Sequence, residues 1–193
     1  MPKKPVTLRS LRALKTRKKL FQSAVQLIEK HGYDNVTIEE VCSKAGVSVG
    51  AFYHYFNSKT DIIVELFQRI DTFFEEVVTP KLNLDASSNI DTFFHYYANF
   101  HADHGVDHAA KILQVQGDFF LDQTRYMHTK LTELVEAAIE DGTFASGSDP
   151  QEIKDYLMVM ARGLILYWTL SQGGFDLIAR MDTYIKLAKR SFK

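Results

Sequence analysis

Three histidines near the middle of the chain have the spacing of metal ligands on one helix face. His101, His104 and His108 follow one another at intervals of three and four residues, with aspartates beside them. Imidazole and carboxylate groups so placed could hold zinc or nickel if the helix were continuous. Gly105 lies between the second and third histidines and favours a helix end there. We therefore assign no metal, and keep a zinc- or nickel-responsive site on these histidines as an alternative.

Catalytic chemistry has little support in the sequence. Covalent catalysis needs an activated nucleophile, but the single cysteine, Cys42, lies in a short amphipathic segment without a catalytic motif. The glycines match neither a phosphate-binding loop nor a dinucleotide fingerprint. We expect no catalytic residue and no cofactor, and a protein that is not an enzyme.

Polar side chains between residues 37 and 59 indicate a different chemistry, the binding of a polyanion. The free N–H groups and the dipole of a helix N-terminus favour phosphate. Tyr53 and His54 could donate hydrogen bonds to phosphate. Ser48 and Val49 begin a short helix that could reach base edges in a DNA groove. The candidate DNA-binding residues are Thr37, Lys44, Ser48, Val49, Gly50, Tyr53, His54 and Lys59.

Several of these residues also have a purely structural interpretation. Thr37 and Lys59 stand at helix starts and could serve only in capping turns. Gly50 costs a helix about 1 kcal/mol relative to alanine, and either a close approach to DNA or close helix packing would explain it. Tyr53 could be half-buried, and His54 could be a solvated surface histidine.

Charge is distributed unevenly along the chain. Residues 1–60 contain eleven lysines and arginines against four acids, a net charge of +7, whereas the remainder contains twelve against twenty, a net charge of −8. A basic N-terminal segment followed by an acidic remainder is expected when one end of a protein binds a polyanion. The basic residues before Lys19 are expected to form an arm that either contacts DNA or is a solvated tail.

Hydrophobic periodicity predicts an all-α protein of about nine helices. Apolar residues recur at helical intervals almost throughout, and no stretch shows the alternation of half-buried strands. The first helix is expected to stop at Gly32. Thr37 and Glu40 form a capping box that opens the second helix, Gly46 closes it, and Ser48 caps a third.

Longer helices are predicted after these three. The segment Ser58–Asp61 repeats the capping box and opens a fourth helix that ends at Pro80. A polar linker over residues 82–89 leads to a fifth helix. Asp149 and Pro150 supply a cap and a first-turn proline, which is a strong start signal for a long apolar helix.

The first three predicted helices have the geometry of a helix-turn-helix, because a basic helix precedes two short helices joined by a tight turn. Roughly residues 16 to 63 resemble the TetR family of transcription regulators, and Cys42 stands where that family more often has alanine. The segments that carry the resemblance are TIEEV from Thr37, AGVSVGAFYHYF from Ala45, and SKTD from Ser58.

The resemblance implies two domains and a dimer. A helix-turn-helix DNA-binding domain with a basic arm would span residues 1–58, and a helical effector-binding and dimerisation domain would span 59–193. The last two long helices, about 151–172 and 176–189, would pair with their counterparts, and Gly163 and Ala161 would let the backbones approach. Two such DNA-binding domains, related by a two-fold axis, would bind a palindromic operator in double-stranded DNA. Alternatively, these apolar faces only fill the core of one chain.

The resemblance also implies a cavity for a small-molecule effector in the second domain. The usual logic would be a repressor that the effector releases from its operator. An architectural DNA-binding protein without an effector is an alternative. The candidate ligand-binding residues are Phe94, Tyr97, Phe120, Tyr126, Tyr167 and Trp168, which could also be ordinary core residues.

Hydropathy and cysteine content predict where the protein works. No stretch approaches the roughly 20 uncharged apolar residues that cross a bilayer, and the basic N-terminal residues lack the apolar segment of a secretory signal. One cysteine forms no internal disulfide, which is typical of a reducing compartment. We expect no membrane contact and a cytoplasmic location.

Overall fold

The structure is a computed structural model that describes residues 8–33, 35–83, 85–114 and 122–193. Within these ranges it contains nine α-helices and no strand, which confirms the all-α class. The helices are α1 (Leu8–His31), α2 (Ile38–Ala45), α3 (Val49–Tyr55), α4 (Thr60–Phe73), α5 (Ala86–His104), α6 (Val106–Gln114), α7 (Tyr126–Glu140), α8 (Pro150–Leu170) and α9 (Leu177–Ala188).

The chain divides into two compact units, Met1–Leu66 and Phe67–Lys193. We call them the head and the body. The head contains α1 to α3 and the first turns of α4, and the body contains the rest of α4 and the later helices.

Local hydrogen bonds set the helix ends of the head. The Thr37 hydroxyl accepts from the Glu40 N–H at 3.2 Å, and a Glu40 carboxylate oxygen accepts from the Thr37 N–H at 2.8 Å. These two bonds confirm the predicted capping box. Gly46 follows α2 with φ of 66°, a left-handed conformation that glycine adopts without strain. The Ser48 hydroxyl then accepts from the Ala51 N–H at 3.2 Å and caps α3.

Two phenylalanines of the α3 region anchor this short helix in the head. Phe52 and Phe56 are buried, and their ring centroids lie 5.5 Å apart. Full burial of such a side chain contributes roughly 1.5–3 kcal/mol, which compensates for the weakness of a helix of only seven residues. Other buried residues of the head are Leu20, Phe21, Ala24, Val41, Ala45 and Ile62.

The end of α4 and the start of α5 differ from the sequence expectations. After Phe73 the chain continues as a π-helix over Phe74–Val78 and a 3-10 helix over Thr79–Lys81. Pro80 has no N–H to donate to a carbonyl of the preceding turn, so the regular α-helical pattern cannot continue through it. The expected linker is also shorter, because the Asp85 side chain accepts from the Ser88 N–H at 3.0 Å and starts α5 at Ala86.

The body is a bundle in which α8 contacts α6, α7 and α9, while α5 contacts α7 and α9. The predicted start of α8 is confirmed, since the Asp149 side chain accepts from the Gln151 N–H at 2.9 Å and Pro150 is the first helical residue. The core is aromatic and aliphatic, and includes Phe74, Ile90, Phe93, Phe94, Leu131, Ile153, Leu157, Ile165 and Met181. None of the described helices is long and apolar enough to cross a membrane.

Candidate DNA-binding surface and effector domain

The third helix has one buried face and one exposed face. Phe52 points into the head, whereas its neighbour Tyr53 is 54% exposed and His54 is exposed. The Tyr53 ring contacts the Phe52 ring edge to face, with centroids 5.5 Å apart. The phenol and the imidazole are therefore available to a partner of α3, and their contact with phosphate stays a prediction.

The first turn of α3 is open to solvent. Ser48 and Gly50 are exposed and Val49 is half-buried. A Cβ atom on Gly50 would lie 3.9 Å from the Ser48 hydroxyl oxygen, an ordinary van der Waals distance, and within 4 Å of no other described side chain. Close packing among the described residues therefore does not explain this glycine, and its close approach to DNA stays a prediction.

Thr37 and Lys59 have clear structural roles besides the predicted contacts. The Thr37 hydroxyl takes part in the capping box. The Lys59 ammonium donates to the carbonyls of Tyr33 at 2.6 Å and Val36 at 2.9 Å, and lies 4.2 Å from the centroid of the Tyr33 ring. An ammonium has three N–H donors, and two of them make these bonds, so a contact of the third with phosphate stays a prediction. Lys44 is exposed in the last turn of α2.

The predicted basic arm is largely helical. Residues 1–7 lie outside the described part of the chain, but from Leu8 onward the basic residues belong to α1. The Arg17 guanidinium pairs with the Glu65 carboxylate at 2.9 Å and lies 5.3 Å from the centroid of the Phe56 ring. The sequence interpretation missed this structural role, because nothing local in the sequence brings these residues together.

The three histidines do not form a metal site. Gly105 ends α5 with φ of 86°, so His108 lies on α6. His104 donates from Nδ1 to the Phe100 carbonyl at 2.7 Å, and its ring stacks on His108 with centroids 4.8 Å apart. Among the described residues, no group of three His, Cys, Asp or Glu side chains could hold a metal ion. The metal-responsive alternative has no support in this part of the chain.

Three predicted ligand-binding residues, Phe94, Tyr97 and Trp168, lie in the interior of the body. Tyr126 is half-buried, with its hydroxyl 2.9 Å from the Thr79 hydroxyl. Phe120 lies outside the described residues.

Tyr167 requires a correction, because it is 58% exposed on the outer face of α8. Its ring stacks on that of Phe175, with centroids 5.7 Å apart. Adjacent helical residues point in directions about 100° apart, so the burial of Trp168 turns Tyr167 away from the interior. We leave Tyr167 out of the effector site.

Four polar residues adjoin one another in the body, and we call them the interior polar cluster: the buried Tyr97, His101 and His128, and the half-buried Arg162. An Arg162 Nη atom lies 3.2 Å from His128 Nε2, and the guanidinium also hydrogen-bonds the Tyr97 hydroxyl. The Tyr97 and His101 rings meet edge to face, with centroids 5.0 Å apart. Both histidines are 1% exposed. Sequence reasoning missed His128 and Arg162, although His128 interrupts the otherwise apolar inner face of α7.

Burial determines the ionisation of this cluster. Desolvation lowers the pKa of His101 to about 3, with the charges of His108 and His104 acting in the same direction. Desolvation also lowers the pKa of His128 to about 3, aided by the charges of Arg162 and other basic groups. Both imidazoles are therefore neutral near pH 7.

The outer faces of the last two helices carry an apolar stripe. On α8 the exposed residues follow a spacing of three or four, which places them on one side of the helix. Gly163 lies within this row, and a Cβ atom there would meet no described atom within 4 Å. Ala161, by contrast, is fully buried in the body, so it does not lie on this outer face, contrary to the expectation. The stripe consists of Tyr156, Val159, Gly163, Leu166, Tyr167 and Leu170 of α8 with Tyr184 and Leu187 of α9.

Comparison with known proteins agrees with the geometry of the head. Residues 20–66 match the model of the bacterial regulatory proteins of the tetR family. The chain is 24% identical to the fatty acid metabolism regulator protein of Bacillus subtilis (strain 168), over 87% of this chain and 91% of that protein. It is 22% identical to the probable acrEF/envCD operon repressor of Escherichia coli (strain K12), over 93% and 88% of the two chains.

The fold is shared with solved structures along nearly the whole chain. The transcriptional regulator FadR from Bacillus subtilis, in complex with stearoyl-CoA, superimposes with a TM-score of 0.73 at 16% identity, covering 91% of this chain and 99% of that one. The helix-turn-helix geometry, the family match and the relatives agree with the resemblance found in the sequence. Over residues 20–66 the chain therefore matches the TetR family of DNA-binding transcription regulators.

Proposed function

We propose that this regulator is a homodimeric repressor that a small-molecule effector releases from a palindromic operator. Residues 1–58 would form the DNA-binding domain, and 59–193 the effector-binding and dimerisation domain. The proposal is supported above all by the two faces of α3: Phe52 is buried and anchors the helix, whereas Tyr53 is exposed on the other, polar face. Such a helix is held rigidly in the head while its outer face meets a DNA groove. The cytoplasm, where the operator would lie, is the proposed location.

The proposed effector class is a long-chain acyl compound. The similarity to a fatty acid metabolism regulator extends through both units, and a related fold binds stearoyl-CoA. The aromatic interior of the body, with Phe93 and Phe94 fully buried, suits an apolar chain. The effector would favour a spacing of the two heads that no longer fits the operator.

The first experiment is the selection of bound fragments of the source genome by the purified full-length protein. We expect an inverted repeat to be enriched, and acyl compounds to release the protein from that repeat in a binding assay. Enrichment of unrelated sequences, or of none, would contradict operator recognition. Release by no acyl compound would contradict the effector class while leaving operator binding in place.

Replacement of Tyr53 by phenylalanine tests the exposed face of α3. We expect Tyr53→Phe to weaken operator binding by about 1–2 kcal/mol, or roughly tenfold, through loss of a hydrogen bond to a charged phosphate. The fold should persist because the ring keeps its contact with Phe52. Fluorescence anisotropy with labelled operator would measure the affinity. As a control, Tyr96→Phe in α5 removes a hydroxyl from the body and should leave the operator affinity unchanged. If the unchanged protein and both variants bound the operator equally, the Tyr53 hydroxyl would not contact DNA.

The dimer proposed here uses the apolar stripe of α8 and α9. A groove between these helices is lined by Tyr156, Met160, Tyr184 and Leu187, and could accept side chains of a second copy. A contiguous row of exposed apolar residues is unusual on a monomer and typical of an interface. Dimerisation would also explain why Gly163 is tolerated within α8, since glycine lets two helices approach closely.

Substitution at the middle of the stripe tests this interface. Val159 is 69% exposed, so Val159→Glu should leave the fold of one chain intact. In a two-fold dimer it would bury two carboxylates without partners, and we expect at least a hundredfold rise in the dimer dissociation constant. Sedimentation velocity over a concentration series would measure it. Ala137→Glu adds the same charge at an exposed position of α7 and should leave the dimer intact; a dimeric Val159→Glu protein would place the interface elsewhere.

A further inference from the structure

The interior polar cluster contains hydrogen-bonding groups that the described residues do not satisfy. Neither ring nitrogen of His101 has a hydrogen-bond partner among these residues, and the same holds for Nδ1 of His128. The guanidinium of Arg162 only donates hydrogen bonds, so His128 Nε2 must accept, and the proton of this neutral ring lies on Nδ1. Within the described part of the chain, the cluster therefore includes a buried N–H donor without an acceptor, a rare condition in folded proteins.

Positive charges outnumber negative ones around the His128 ring. Arg162 contacts His128 directly, and the charges of Arg125 and Lys154 also act on its ring, whereas the charge of Asp122 acts in the opposite direction. Arg125 is paired with Asp71 at 2.9 Å. Lys154 is 2% exposed, yet its ammonium donates to the amide oxygens of Gln123 and Gln151, which carry no charge. The field at the cluster therefore favours an anion.

One side of the cluster is apolar. The Tyr97 ring lies against two fully buried phenylalanines, with centroid distances of 6.3 Å to Phe74 and 6.4 Å to Phe94. The Tyr97 phenol therefore lies between the hydrogen-bond donors of the cluster and the aromatic core. A ligand that contacts both needs an apolar chain that ends in a group with several hydrogen-bond acceptors.

We infer that Tyr97, His101, His128 and Arg162 form the polar end of the effector site and bind the carboxylate of a free long-chain acid. A carboxylate offers about four acceptor sites and matches the planar fork of a guanidinium. A thioester carbonyl has no charge and fewer acceptor sites, so the CoA ester would use this end poorly. The inference rests on the proposed effector site in the body.

The test measures binding to the full-length protein without DNA. Trp168, the single tryptophan, lies in the interior on the same helix as Arg162, so its fluorescence reports the ligand. The probes are palmitate, hexadecanol and palmitoyl-CoA, each below its micelle concentration. We expect palmitate to bind at least thirtyfold more tightly than hexadecanol or palmitoyl-CoA.

Two variants connect this preference to the cluster. Arg162→Gln should weaken palmitate binding at least thirtyfold and leave hexadecanol binding unchanged, since only the acid uses the charge. Because Arg162→Gln could perturb the fold, His101→Asn provides a second, uncharged change, with an expected loss of at least threefold for palmitate. Arg180→Gln, which removes a charge of α9 outside the cluster, should bind palmitate like the unchanged protein. Circular dichroism would confirm that all variants are folded.

Several results would overturn the inference. The cluster does not bind a carboxylate if palmitate and hexadecanol bind equally, or if palmitoyl-CoA binds more tightly than palmitate. The same conclusion follows if Arg162→Gln binds palmitate as the unchanged protein does, or if none of the three probes binds. The proposed repressor function would survive these results if operator binding persists. Failure to find an operator would count against that function, while leaving the ligand measurements valid.

Discussion

Acidification from pH 7 to pH 5 is expected to lower the free energy of unfolding by about 2 kcal/mol for each of the two buried histidines. The pKa values of His101 and His128 fall from 6.5 to about 3 in the folded chain. The unfolded chain therefore binds more protons than the folded one between these values. The contribution of these two histidines to the free energy of unfolding is therefore most favourable above pH 6.5, and it becomes less favourable as the pH falls toward 3. The physical reason is that a charged imidazole is poorly solvated in the interior of the body.

Urea denaturation at pH 7, 6 and 5 would measure this loss. Carboxylates titrate in the same range, so the comparison that isolates one imidazole is between the unchanged protein and His101→Leu. We expect the leucine variant to lose about 2 kcal/mol less over this interval. Parallel pH profiles for the two proteins would show that His101 is not held neutral by burial.

Replacement of Gly50 by alanine should separate DNA binding from stability. Among the described side chains, a Cβ atom at this position meets the Ser48 hydroxyl oxygen alone, at 3.9 Å. Alanine is also the better helix former, by up to about 1 kcal/mol. The free energy of unfolding should therefore stay the same or rise. The added methyl group would occupy space at the exposed start of α3, where we expect DNA to approach, and operator binding should weaken at least tenfold.

Urea denaturation and operator titration of the same Gly50→Ala preparation would provide both values. Gln22→Ala, an exposed position of α1, is a matched control that should bind the operator normally. If Gly50→Ala also bound normally, the backbone of α3 would not approach DNA closely. A loss of stability would instead indicate a packing requirement.

Several helix ends of this protein could be predicted because the responsible interactions are local, unlike the end of α4 and the start of α5. The capping box of Thr37 and Glu40, and the cap and first-turn proline before α8, involve groups within three residues of one another. Such pairs find each other whenever the helix forms, whatever surrounds it. The helix-turn-helix could be recognised for the same reason, since α2, its turn and α3 are continuous in the chain.

The burial of neighbouring residues was harder to predict. Tyr167 and Trp168 are both aromatic and adjacent in a helix that is apolar on most sides. One is exposed and the other is buried, because α8 packs against other helices of the body on one side only. Hydrophobicity alone does not distinguish a face that fills the core from a face that meets a second chain.

Residue types and spacing along the chain predicted the helices and the helix-turn-helix, and the resemblance of residues 16 to 63 to the TetR family indicated a DNA-binding regulator, because these signals lie in continuous segments of the chain. The interior polar cluster depends on α5, α7 and α8 packing together, which brings Tyr97, His128 and Arg162 into contact from distant parts of the sequence. Burial then makes the imidazoles neutral and leaves their N–H donors without an acceptor among the described residues. Those properties arise from desolvation in the folded core, and no pattern along the chain contains them.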